Sequence, residues 1–315
     1  MQKMQRFETM PIGTPNMRHL LIYDMIEAVH RSGSIRKAAE DTNITASALN
    51  RRIQAFEEEF GSEIFERLPR GMRLNPAGEL LLHHIRLQRQ DLIRVHSQVA
   101  DLSGVRRGHV KIACSQALLP YFLPREISKY RAEFPDVTFS VNVRDRIQAE
   151  QDLVTFESDL ALVFEPAHMV NFEVLHAIHQ PVMAVMSAAH PLAGRKSLRL
   201  RECLEYDLVL PARQFGVRVL LDQAAARFGG KLEPALETDS FDMVRHFAAY
   251  GHGIGFQIPV GLNALARPDM SFVPIAERDV AGGELYLGHL KGRTLPVAAL
   301  KFANQVRTTL SRAQT

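Results

Sequence analysis

The sequence predicts three successive parts: a small all-α winged helix-turn-helix domain, one long helix, and an α/β region of two subdomains. Three observations predict it. Residues 20–75 show helical apolar spacing, two short turns and a basic hairpin. Residues 76–103 contain a single glycine and no proline after Pro76. From residue 108 onward, short apolar strands alternate with amphipathic helices.

Composition sets the bounds. At 315 residues the chain has room for two or three domains, and 46% hydrophobic with 23% charged residues is ordinary globular composition. A net charge of +3 and a pI near 8.9 suit a nucleic-acid partner without demanding one, so the distribution of charge matters more than its sum. Cys114 and Cys203 are too few for a disulfide framework and fit a reducing cytosol. Such cysteines usually behave as small buried hydrophobes, with a redox pair as the alternative. Residues 1–16 have no apolar core for a signal peptide and read as a flexible extension, with Met10 and Met17 as alternative starts. No apolar run reaches the ~18 residues of a membrane helix, so a soluble cytoplasmic protein is expected.

The elements follow in order. Leu20, Tyr23, Ile26 and Val29 recur at helical spacing, and "RSGS" closes that helix. Ser34 is placed to cap "IRKAAEDT", whose Ala38 and Ala39 let another helix approach closely. After a turn at Asn43 and Ile44, Thr45 caps "ASALNRRIQAFEEEF". Leu49, Ile53, Phe56 and Phe60 share one face of this third helix, while Ala46, Ser47, Asn50, Arg51 and Gln54 share the other. The front is polar and basic and the back holds Glu57, Glu58 and Glu59, which suits a recognition helix that enters the major groove by its N-terminal end. An ordinary helix with a solvated charged face is the alternative reading of this segment alone. "FERLPRGMRLNPAGE" adds a hairpin turning at Arg70 and Gly71, with Arg70 and Arg73 near its tip, where a wing reaches phosphate or the adjacent minor groove. Asn75 and Pro76 then start a new helix.

The run "SGSIRKAAEDTNITASALNRRIQAFEEEFGSEIFERLPRGMRLNPAGE" resembles the winged helix-turn-helix of the LysR-type transcriptional regulators. The likeness lies in the alanine pair, the A-L-x-R-x-I core, the "IFER" segment and the glycine-containing wing. Residue by residue, it implies DNA contacts by Thr45, Ala46, Ser47, Asn50 and Arg51, with Arg70 in the wing. The family usually has Gln-Pro where this chain has Ala46-Ser47, so its base preference does not transfer. The start of the first helix matches poorly, and a contact by Arg18 is not carried over.

The helix from Pro76 would be about 40 Å long. Leu81, Ile85, Gln88, Leu92, Val95, Val99 and Leu102 form a heptad seam with one polar member. Packing within its own domain is one reading. The resemblance implies the other, a homodimer joined through this helix and assembled into a homotetramer. "SGVRRGH" then reads as a hinge.

In residues 108–315, "HVKIAC", "VTFSVNV", "DLALVF", "PVMAVMS", "DLVLP", "PALET", "GIGFQIP" and "ELYLGHL" read as strands. Helices fall around "YFLPREISKYRAEF" and "IQAEQDLVTF", at 217–228, through "FDMVRHFAAY" and at Val297–Arg312. Alternation implies parallel sheet with helices on both faces. The chain is expected to cross between subdomains near Gln180 and again near 275–290. This divides it into 17–75 for DNA binding, 76–104 as linker, and 108–315 for the ligand. Within the last, 108–179 with 281–315 form one subdomain and 180–280 the other. The same resemblance implies a periplasmic-binding-protein-like effector domain, with "AHPLAG" and "GHGIGFQIP" as its best echoes.

Ligands in such sheets bind beyond the strand carboxyl ends. That rule selects Ser115 and Gln116 after the first strand, Phe164 and Glu165 after "DLALV", Arg213 after "DLVL", and Thr238 after "PALE". Arg213 favours an anionic ligand and Glu165 a cationic one, so the ligand's sign stays open. The thirteen histidines form no ligand-spaced cluster, and the sequence holds no phosphate loop, dinucleotide fingerprint or G-x-S-x-G. No metal or cofactor is expected. The expected partners are promoter DNA, a small-molecule effector and further copies of the chain, with no membrane. The rival classes are an enzyme or solute-binding protein, which would need catalytic residues or a secretion signal, and a DNA-architectural protein, which leaves the α/β region idle.

Overall fold

The computed structural model describes residues 21–69, 71–102, 107–251, 253–262 and 268–312. The extension at 1–16, Arg18, Leu20, Arg70, and 103–106 of the expected hinge lie outside the described residues. Two compact units divide the chain, one ending at Val99 and the other beginning at Ala100.

The first unit contains α1 (Leu21–Ser32), α2 (Ile35–Asp41), α3 (Ala46–Phe60), β1 (Phe65–Leu68), β2 (Gly71–Leu74) and most of α4 (Pro76–Leu102). Side-chain oxygens satisfy the free N–H groups that begin three of these helices. Ser34 accepts from Lys37 N–H at 3.5 Å, Thr45 from Ala48 N–H at 3.2 Å, and Asn75 from Gly78 N–H at 2.8 Å. Ile26, Val29, Ala38, Leu49, Ile53 and Ile64 are fully buried together, and the small Ala38 and Ala39 let the helices close on one another.

Leu68 pairs with Gly71 across the hairpin, so Gly71 is a strand residue and not half of the turn. Its φ of 126° is open to glycine, and a Cβ there would fall 2.5 Å from the carbonyl oxygen of Gly33. This close approach lets Met72 N–H donate to Gly33 O at 2.9 Å, which ties the wing to the α1–α2 turn. Phe60 departs from its expected place. It is 47% exposed and stacks on Phe56, because the last turn of α3 overruns the core before Gly61 ends it.

The heptad expectation for α4 also needs correction. Leu81 and Ile85 are buried in the first unit's own core, beside Leu82. Arg86 and Arg89 fasten these turns to α1 through Glu27 and Asp24. Farther along, Gln88 is exposed, Leu92 half-buried, and Val95 and Val99 are 45% and 56% exposed.

The second unit is built on two five-stranded sheets. Its elements are β3 (Gly108–Cys114), α5 (Phe122–Glu133), β4 (Val137–Val143), α6 (Arg146–Val154), β5 (Leu160–Phe164), β6 (Phe172–Gln180), β7 (Met183–Ser187), α7 (Leu200–Cys203), β8 (Leu208–Pro211), α8 (Gly216–Arg227), β9 (Pro234–Thr238), α9 (Phe241–Tyr250), β10 (Ile254–Gln257), β11 (Met270–Pro274), β12 (Gly283–Leu290) and α10 (Val297–Arg312). The first sheet has the order β4-β3-β5-β12-β6 and the second β11-β7-β10-β8-β9. Chain crossings fall between Gln180 and Met183 and between Pro274 and Gly283.

The sheets are mixed where all-parallel was expected. β12 runs antiparallel to β5 and β6, and β7 runs antiparallel to β10 and β11. A strand entering straight from the other subdomain has no crossover helix to reverse it, so it joins in the opposite direction. The parallel strands β4, β3 and β5 are covered on both faces, as their alternation dictates. Val110, Ile112, Leu160 and Leu162 belong to the same apolar cluster as Tyr130 of α5 and Phe302 of α10. Ala113, Ala161 and Val163 face Ala149 and Leu153 of α6.

A buried ion pair stands beneath this sheet. Asp159 accepts from Arg293 Nη2 at 2.6 Å and from the Lys111 N–H at 2.9 Å, while Arg293 Nη1 donates to Ser158 O at 3.1 Å. Both side chains are 3% exposed, and the guanidinium lies 5.2 Å from the Phe156 ring centre. Asp159→Ala removes the carboxylate that faces a buried cation, and the expected loss is about 3–5 kcal/mol in the urea unfolding of the second unit. Replacing both partners by apolar residues should recover most of that loss in the same measurement.

Candidate nucleic-acid interface and ligand cleft

Capping by Thr45 starts α3 sharply, and the burial of Leu49 and Ile53 turns the opposite face outward. Thr45, Ala46, Ser47 and Arg51 are all exposed on it, and the Thr45 and Ser47 hydroxyls lie 3.2 Å apart. Asn50 is half-buried, with its carbonyl oxygen 3.4 Å from Nη2 of Arg67 on β1. Arg67 is thus brought to the recognition face, although the sequence reading passed over it. The sequence carries no local signal for this, because the contact depends on how β1 packs beside α3. Arg73 is exposed and pairs with Glu66 at 2.8 Å, directly across the hairpin.

The acidic rear of α3 has a structural use. Glu57 accepts from the N–H groups of Ile64 and Phe65 at 2.8 and 3.3 Å, so it fixes the start of the wing against the helix. Glu58 and Glu59 remain exposed at the same end. Hydroxyl, amide and guanidinium groups therefore gather at the helix N-terminus, where the dipole also favours anions, and carboxylates gather at the other end. Such a face can contact phosphates and base edges.

In the second unit, the carboxyl ends of β3, β4, β5 and β10 and the starts of α8 and α9 surround a cavity of about 20 Å³. That is room for a water molecule. Ser115 and Phe164 line it. Ser115 N–H donates to Leu162 O at 3.0 Å, and its hydroxyl accepts from Ala117 N–H at 3.4 Å. Gln116 does not line this cavity. Its side-chain oxygen accepts the N–H of Phe241 at the start of α9, joining the two subdomains.

The other expected ligand residues are engaged elsewhere. Glu165 has a left-handed φ of 51°, and its carboxylate accepts from Glu284 N–H at 2.7 Å. Gly216 at the start of α8 lies so close that a Cβ would meet Glu165 Cβ and Phe164 O at 2.9 Å. Thr238 accepts from Ser240 N–H at 3.1 Å through its hydroxyl and from Ala212 N–H at 2.8 Å through its carbonyl. Arg213 is exposed, and the chief partner of the nearby Glu237 carboxylate is Arg218 at 2.6 Å.

Three charged residues at the end of β4 were missed. Arg144, Asp145 and Arg146 line the cavity together with Phe215, Val217 and Phe241. Asp145 caps α6, Arg144 pairs with Asp152 at 2.8 Å, and Arg146 Nη2 donates to Pro166 O at 3.4 Å. The strand-end rule, applied to "VNVRDRIQ", would have found them. Cys114, which ends β3, and Cys203 are both buried, and burial pushes each thiol up to about 12, so neither is a thiolate near neutral pH. Among the described residues no cluster of three or more His, Cys, Asp or Glu side chains can hold a metal ion. No described helix is long and apolar enough to cross a membrane.

Comparison with known proteins identifies both units. Residues 23–79 match the family model of the bacterial regulatory helix-turn-helix protein, lysR family, and residues 103–311 match that of the LysR substrate binding domain. The chain is 25% identical over 284 residues to the HTH-type transcriptional activator CmpR of Synechocystis, covering 89% of this chain and 92% of that one. It is also 25% identical over 301 residues to the RuBisCO operon transcriptional regulator of Allochromatium vinosum, covering 94% and 97%. In fold it is similar to a cysteine-to-aspartate variant of full-length OxyR from Pseudomonas aeruginosa, with a TM-score of 0.67 at 18% identity, covering 91% and 94%. It is similar too to full-length CbnR complexed with its target DNA, with a TM-score of 0.60 at 16% identity, covering 92% and 99%. A helix-turn-helix of the lysR type followed by a LysR substrate binding domain over 209 residues (103–311) places this chain in the LysR family of transcriptional regulators.

Proposed function

We propose that the protein is a sequence-specific, DNA-binding regulator whose action is set by a small molecule in the cleft of its second unit. The observation that carries this reading is the exposed, capped N-terminal end of α3, where Thr45, Ser47, Asn50, Arg51 and Arg67 converge. Placed in a major groove, Arg51 and Asn50 meet base edges and backbone, while the wing, with Arg70 and Arg73, reaches flanking phosphate. CbnR, similar in fold, is known complexed with its target DNA.

Two copies pair through the exposed part of α4, where Val95 and Val99 extend the seam left over by the first unit's core. Paired dimers give the tetramer that the family likeness implies. The effector sits among Ser115, Phe164 and the arginines at the end of β4, and its entry parts the two subdomains. The matched relatives carry the names of transcriptional regulators, which supports a binding role. The deciding experiment is binding of the purified protein to DNA upstream of its own gene, with affinity falling linearly in log salt.

Arg51→Ala should weaken that binding by about 1–3 kcal/mol in fluorescence anisotropy, whether its contact is a base or a phosphate. Asn50→Ala should instead change the preferred site in a binding-site selection, since a neutral amide adds little to non-specific attraction. For the seam, Val95→Asp places a charge on a residue that the single chain leaves exposed, so the fold survives and association suffers. Sedimentation velocity should show monomer, and an unchanged oligomer would remove α4 from the interface. At the cleft, Ser115→Phe introduces a ring far larger than the cavity. DNA binding should persist while a promoter–reporter loses its response to the inducing metabolite, and a normal response would exclude this cleft as the effector site.

A further inference from the structure

His179 stands where the chain leaves the first sheet. It is the penultimate residue of β6 and lies directly opposite Glu284 in the antiparallel pair with β12. Its Nδ1 is 3.2 Å from Oε1 of Glu284, and its Nε2 is 3.0 Å from Oε1 of Glu277. Glu277 belongs to the returning segment, residues 275–282, and that segment is fastened to the second subdomain. Ile275 N–H donates to Val182 O at 2.9 Å and Ala276 N–H to Leu198 O at 2.7 Å. The Asp279 carboxylate takes Arg199 at 2.6 Å and the Leu200 N–H at 2.9 Å. One imidazole therefore joins the outgoing strand, the incoming strand and the returning segment.

The backbone passes tightly beneath the ring. A Cβ at Gly282 would fall 2.4 Å from His179 Nε2, so only glycine lets the returning segment lie this close. An ionised carboxylate only accepts hydrogen bonds, and a neutral imidazole donates from one nitrogen alone. With a carboxylate oxygen at each nitrogen, both contacts are hydrogen bonds only when the ring is an imidazolium. The hydrogen bond to Glu277, opposed by burial and helped by Glu284, raises the His179 pKa above the usual histidine value. Among the described residues, other charged or titratable groups stand near this cluster, Arg199 on Asp279 included. Others are Glu165, whose carboxylate binds the Glu284 N–H, Tyr286 farther along β12, and Arg278 and Asp279 after Glu277. On β6 itself the residue two before His179 is Ala177. The side chain is 46% exposed, so protons reach it freely.

We propose that His179 is a proton-operated strap across the two crossings of the substrate binding domain, holding Glu277 and Glu284 together when protonated and releasing one of them when neutral. Because the folded-state pKa is raised, the strap is complete below the ordinary histidine pKa and is lost as pH rises through the folded value. Residues 275–282 should then open more often, and with them the hinge on which the subdomains turn. The proposal does not rest on the identity, or even the existence, of an effector.

The test is hydrogen–deuterium exchange of the full chain at about pH 5.5 and about pH 8.5, corrected for the chemical exchange rate at each pH. Peptides covering 275–282 should exchange several-fold faster at the higher pH, relative to peptides from α10. In His179→Gln the two pH values should give the same fast exchange. Glu277→Gln, at a 65% exposed side chain that threatens no core, should reduce the pH effect in the same peptides. Equal protection of 275–282 at both pH values in the unmodified chain would overturn the proposal. So would a pH effect that survives intact in His179→Gln.

Discussion

β12 lies between β5 and β6, yet the whole second subdomain separates it from them in sequence. The first sheet is therefore incomplete until the chain has built the second and come back. Leu285, Leu287 and Gly288 must slot into register against residues of β5 and β6 on either side. Contacts so distant in sequence are slow to form, but once made they bind the two subdomains through a pair of short crossings and nothing longer. The position of the cleft, the reach of Glu165 to Glu284, and the convergence at His179 all follow from that return.

Much of the fold was legible because its signals are local. Ser34, Thr45 and Asn75 are side chains that only a helix start uses fully, and they mark three boundaries correctly. The last helix, Val297–Arg312, was bounded as found because its apolar residues follow a single helical face. β6 was overlooked for a physical reason. "FEVLHAIHQ" is a half-solvated edge strand whose histidines and glutamate dilute its β-branched residues, and its stability comes from β12, far away in sequence. Leu81 and Ile85 fit a heptad seam by spacing alone, and spacing cannot say which neighbour fills it.

The cleft was less legible than the fold. A strand-end rule locates residues but not their hydrogen bonds. Glu165 and Thr238 stand where the rule put them, and each is held by a neighbouring backbone N–H. Arg67 shows the converse, since nothing in "IFER" announces that the wing strand will bring it to Asn50. The polarity of α3 was easier, because charge along a helix is written in the sequence itself, and Glu57 shows that its acidic end also has a packing task.

The bond between the Gln116 side chain and the Phe241 N–H has a quantitative consequence for how the two subdomains hold together. Phe241 N–H belongs to the first turn of α9 and has no carbonyl of its own helix to reach, so the Gln116 side-chain oxygen from the other subdomain supplies its acceptor. Parting the subdomains at this point would cost the free energy of that bond, and each ~1.4 kcal/mol lowers the population of a parted form tenfold. The strength of this one internal contact thus bears on how rarely the two subdomains separate.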